Sequence, residues 1–161
     1  MKATLPAEFP LEAPLDFLQH LWHLNHALER MSQQMKRTLG VTAQQRLFIR
    51  CIGKYPGMTG SQLATVLHLD PGTVSVALTR LAKLGLITRR RDSRDNRRVS
   101  LGLTAQGRAL DRPNRATVEH AVEGMLAKAG RADVERVKDV LRILAEDLSE
   151  KVRGGGRTTT R

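Results

Sequence analysis

Between residues 15 and 39 apolar side chains recur every three or four positions, at Leu18, Leu21, Trp22, Leu28, Met31, Met35 and Leu39. This spacing predicts one amphipathic helix, ended by Gly40. At about 24 residues it would be about 36 Å long, more than a small lobe can cover, so it needs another surface. Residues 1–14 carry Pro6, Pro10 and Pro14 and predict no helix. They fit either a disordered tail or an arm laid across a partner subunit. Thr42 and Gln45 have capping-box spacing ahead of a helix through Leu47, Phe48 and Cys51 to about Lys54, which Tyr55-Pro56-Gly57 breaks.

Residues 59–103 organise the rest. Thr59 and Gln62 repeat the capping box, and Leu63, Ala64 and Leu67 give a short helix one buried face. Asp70 is suited to the N-cap of a second helix and Pro71 to its first position, with Gly85 marking its end. Steps of about 100° place Val74, Ala77, Leu78, Leu81 and Leu84 on one face. Thr73, Ser75, Val76, Thr79, Arg80 and Lys83 fall on the other. Hydroxyls and cations without a carboxylate suit base edges and phosphates. Val76 is the apolar exception; it packs on the preceding helix, merely tolerates exposure, or meets a thymine methyl. Residues 87–91 and 98–103 then read as two strands around the turn formers of residues 92–97. Val99, Leu101 and Leu103 alternate inward. Six arginines among residues 89–98 face only Asp92 and Asp95.

Thr104 starts another helix, which Pro113 should break near Asp111. A helical pattern resumes at Val118. Gly130 separates it from a last helix over residues 132–152, whose Val134, Val137, Leu141, Leu144 and Leu148 form a 3-4-3-4 seam. Residues 153–161 read as a flexible basic tail.

Composition sharpens this picture. The net charge is +11, and residues 43–98 hold +8 of it, with eleven cations against three acids, which points to a polyanion partner. The single cysteine, Cys51, forms no intrachain disulfide and favours a reducing compartment. It reads as a small core residue. His20, His23 and His26 lack the i, i+4 spacing and companion acids of a metal set, so they read as structural and no metal or cofactor is expected. No apolar run suits a membrane span and no signal-peptide core is present, which predicts a cytoplasmic protein. No HExxH, G-x-S-x-G or P-loop spacing occurs, so an enzyme is not expected.

The run D-P-G-T-V-S-V-A-L-T-R-L-A-K-L-G-L-I from Asp70, the wing D-S-R-D-N-R-R-V from Asp92 and L-T-A-Q-G-R from Leu103 resemble the MarR family of winged helix-turn-helix regulators. The resemblance implies a mainly α fold with a small β-hairpin wing, a winged helix-turn-helix flanked by dimerisation helices. Its parts would be a flexible arm (1–14), a dimerisation helix (15–40), the DNA-binding domain (41–103), C-terminal dimerisation helices (104–152) and a disordered tail (153–161). The implied function is a homodimeric regulator of a pseudo-palindromic operator in double-stranded DNA, a repressor released by a small-molecule ligand. Thr73, Ser75, Val76, Thr79, Arg80, Lys83, Arg90, Arg94, Arg97 and Arg98 would meet DNA, with Arg94 at the wing tip in the minor groove. Many relatives carry arginine at the position of Val76. The family's ligand position points to Trp22, Asn25, His26 and Phe48. Peroxide-sensing relatives carry a reactive cysteine on the first helix, where this chain has none. A nonspecific architectural DNA binder and a redox- or metal-responsive regulator are the competing readings.

Overall fold

Each helix of the central region starts on the cap that its sequence assigns. The computed structural model describes residues 11–91 and 98–155. In chain order these form α1 (Ala13–Leu39), α2 (Ala43–Lys54), α3 (Gly60–Leu67), α4 (Pro71–Lys83), β1 (Ile87–Arg91), β2 (Val99–Leu103), α5 (Ala105–Asp111), α6 (Val118–Leu126) and α7 (Arg131–Gly155). The fold is mainly α with a two-stranded antiparallel hairpin. Thr42 and Thr59 each close a complete capping box, with Gln45 and Gln62. Asp70 caps α4 and Pro71 occupies its first turn. Gly85, at φ +68°, ends it, and the N–H of Leu86 returns to the Leu81 carbonyl at 3.0 Å.

Three boundaries depart from the sequence reading. Helix α1 begins at Ala13 with Pro14 inside its first turn, where a missing N–H is harmless. Leu84, expected on the buried face, is 46% exposed, because α4 ends at Lys83 and the chain turns away. Helix α7 runs on to Gly155. The expected break is present: α5 stops at Asp111 and Arg112 turns extended, as the residue before a proline must.

The chain comprises two units, Met1–Val118 and Glu119–Arg161. In the first, Phe48, Ile49 and Ile52 of α2 meet Leu63 of α3, Val74, Leu78 and Leu81 of α4, and Leu86, Ile87 and Leu101 at the base of the wing. Ser32 Oγ accepts from the Ala43 N–H at 3.1 Å, fastening α1 to the start of α2. Residues 57–59 run along the free edge of β2: the Leu101 N–H donates to Met58 O at 2.8 Å, and the Leu101 carbonyl accepts from the Gly57 N–H at 2.9 Å. In the second unit, α7 carries its own i, i+3 and i, i+4 ion pairs, such as Glu135–Lys138 at 2.9 Å. Of its seam, Val134 and Leu144 are half-buried while Val137, Leu141 and Leu148 are exposed.

One junction holds the wing to α4. Thr104 Oγ1 donates to Gly85 O at 2.7 Å and accepts from Gly107 N–H at 3.0 Å, and the Thr104 N–H donates to Leu86 O at 3.1 Å. A Cβ on Gly107 would fall on that same Leu86 carbonyl. Gly107→Ala should therefore destabilise the protein by about 3 kcal/mol, the upper range for overpacking, read as a lower urea midpoint at unchanged slope.

Candidate nucleic-acid interface

Helix α4 turns Val74, Leu78 and Leu81 into the core, and Thr73, Ser75, Val76, Thr79, Arg80 and Lys83 are all exposed. Two of its hydroxyls are already bonded. Thr73 Oγ1 donates to the Asp70 carboxylate, whose other oxygen accepts the Thr73 N–H at 2.8 Å. Thr79 Oγ1 donates to Ser75 O at 2.8 Å. These bonds hold the Asp70 carboxyl below its usual range, the Thr73 hydroxyl contributing most.

The wing has two faces. Register pairs Arg89 with Leu101 and Arg91 with Val99, and Arg90 with Ser100; cross-strand partners share a face. Arg89 and Arg91 accordingly border a cleft of about 490 Å³ whose opposite wall is Ser61 of α3 with Pro71 and Ser75 of α4. Arg90 lies on the other face, above a cavity of about 450 Å³ lined by Ile52, Gly53 and Asp111. Of these three the sequence reading named Arg90 alone; the two-residue period of a strand is the signal that places Arg89 and Arg91 together on the face toward α4 and Arg90 on the other. Arg98 is exposed beside Lys54 and Tyr55. Arg94 and Arg97 lie outside the described residues.

Two cations of the basic segment serve the interior. Arg46 is 2% exposed; its guanidinium donates to Leu110 O and, at 2.8 Å, to Arg112 O. Arg50 donates to the Asp111 carbonyl and, at 2.8 Å, to its carboxylate. Both satisfy carbonyls orphaned at the end of α5.

Phe48 is fully buried in the core. Trp22 is 69% exposed on α1, where Asn25 bonds Glu29 at 3.2 Å and His26 is exposed. His20 Nδ1 lies 2.8 Å from Asp16 O, and among the described residues no three His, Cys, Asp or Glu side chains gather as a metal site. Cys51 is half-buried, and burial pushes its thiol up against the pull of Lys54 and Arg50. No described helix is long and apolar enough to cross a membrane.

The MarR family model matches residues 41–99. Over 126 residues the chain is 30% identical to the HTH-type transcriptional regulator FarR of Neisseria gonorrhoeae, spanning 76% of this chain and 86% of that protein. The chain belongs to the MarR family. A second MarR-type relative, the organic hydroperoxide resistance transcriptional regulator of Bacillus subtilis (strain 168), is 29% identical over 88% of this chain and 93% of its own. The solved structure of Streptococcus pneumoniae FabT in complex with DNA superposes with a TM-score of 0.59 at 26% identity, covering 84% of this chain and 94% of that one. Within this MarR fold the family's L-T-x-x-G element is the Thr104–Gly107 junction described above.

Because Asp70 is more acidic when folded than unfolded, its cap contributes stability above about pH 4 and loses it as the pH falls through the depressed folded value. Asp70→Asn keeps a capping oxygen without the charge. Wild type should be the more stable at pH 7, and the gap between their urea midpoints should close as the pH falls from about 5 to about 2.

Proposed function

We propose that this chain is a homodimeric, sequence-specific DNA-binding regulator that represses transcription from a pseudo-palindromic operator and is released by a small-molecule ligand. The observation that carries this reading is the cleft in which Arg89 and Arg91 stand opposite the exposed polar face at the start of α4. A recognition helix enters the major groove by its N-terminal residues, and a cationic ribbon beside it follows the phosphates. Arg94, outside the described residues, keeps the minor-groove role that the sequence reading gives it. The complex of the FabT relative with DNA supports the same partner here, and a DNA partner implies work in the cytoplasm.

Dimerisation is supported by apolar surface that each unit leaves uncovered. In the first unit Leu15, Phe17, Leu18 and Trp22 of α1 are exposed, and in the second Val137, Leu141, Ile143 and Leu148 of α7. Patches of this kind on helical faces mark association surfaces. For ligand release, Trp22, Asn25 and His26 on α1 are the proposed contacts; Phe48, expected with them from the sequence, is enclosed in the core and is left out of the set. The peroxide chemistry in the name of the Bacillus subtilis relative does not carry over: α1 holds no cysteine, and the Cys51 thiol is made less acidic by burial.

The deciding experiment titrates the full chain with DNA from upstream of its own gene against unrelated duplex of equal length. Selective binding that weakens steeply with salt is expected; equal affinity for both would favour a nonspecific architectural binder. Arg91→Ala should flatten the slope of log affinity against log salt by about one unit, while Arg90→Ala leaves it unchanged. Replacing Leu141 and Leu148 together by Glu should give a monomer in sedimentation with at least tenfold weaker operator binding, at unchanged helical content.

A further inference from the structure

Between Pro71 and Thr79, α4 contains no Arg, Lys, Asn or Gln, the side chains that grip guanine or adenine by two bonds in the major groove. Its first two turns can read DNA only with hydroxyl and methyl groups. The direction of the hydroxyl bonds narrows this further. Thr73 and Thr79 each have one O–H, and both donate within the protein, to Asp70 and to the Ser75 carbonyl. What they offer a ligand is lone pairs. An acceptor meets the amino groups of adenine or cytosine and is mismatched to the acceptor edges of guanine and to thymine O4.

Val76 stands three residues before Thr79, on the same side of the helix, and is 54% exposed. Because the residue is more than half exposed on the outer face of α4, its methyls are within reach of a ligand on that face. Thymine is the base with a methyl in the major groove, and its partner adenine supplies the amino group. We propose that Val76 and Thr79 together read an A·T pair in each half-site: Val76 contacts the thymine C5-methyl, and Thr79 Oγ1 accepts from adenine N6 of the same or the neighbouring pair. Arg80 and Lys83, one and two turns beyond Val76, hold the flanking phosphates. This assignment rests on the DNA-binding function proposed above.

The test uses the full chain and the tightest duplex it selects from a random pool. Each thymine is replaced in turn by deoxyuridine, which deletes the methyl, and each adenine by deoxynebularine, which deletes the amino group. At one position per half-site deoxyuridine should weaken wild type about fivefold and Val76→Ala less than twofold. At the same or the adjacent pair nebularine should weaken wild type but not Thr79→Val. Selective binding in which no deoxyuridine affects wild type more than Val76→Ala would overturn the inference and leave the regulator reading intact. A selected duplex bound no better than unrelated DNA would overturn both.

Discussion

Leu86 is the residue on which the joint between α4 and the wing depends. Its N–H closes the exit from α4 on the Leu81 carbonyl, and its own carbonyl accepts the Thr104 N–H from the far end of the wing and lies so close to Gly107 that a methyl there would overlap it. Four elements therefore converge on one residue: the end of α4, the start of β1, the end of β2 and the start of α5. A hairpin of two five-residue strands is marginal by itself in water. Anchored at this junction, with Met58 and Gly57 bonded along its second edge, it places Arg89 and Arg91 on the same cleft as Ser75.

The buried guanidinium of Arg46 is the second internal constraint, and it changes how the charge of the chain is read. A charged side chain is rarely enclosed without partners; this one has the carbonyls that Pro113 leaves without helical donors at the end of α5. Beside it, Gly53 leaves room for the carboxylate of Asp111, the partner of Arg50, which a Cβ there would meet. Among the described residues, the strongly positive middle segment thus includes arginines that tie helices together, Arg46 and Arg50, beside exposed ones, Arg89 and Arg91, that border the cleft next to α4.

Local chemistry was legible in the sequence wherever a residue acts on its immediate neighbours. The caps at Thr42, Thr59, Asp70 and Thr104, the stops at Gly40 and Gly85, and the break before Pro113 all follow from side chains within a few positions of their effect. Contacts over longer separations were not legible. Nothing near Arg46 announces a partner more than sixty residues away, and the pairing of residues 57–59 with β2 has no pattern of its own. On the interface, the outward face of α4 was read from helical periodicity, while the wing was read as a cluster of charge. Cluster counting hides which arginines share a face: Arg89 and Arg91 lie together on the side of the cleft beside α4, and Arg90 on the other side.

The rung between residues 57–59 and β2 has a mechanical consequence. Those residues join α2 to α3, so the wing is moored at its root on one side and along its edge on the other. The wing is thus tied by hydrogen bonds both to the exit from α4 and to the segment that leads into α3. That segment acts as a partial third strand, covering an edge that two strands alone would leave open.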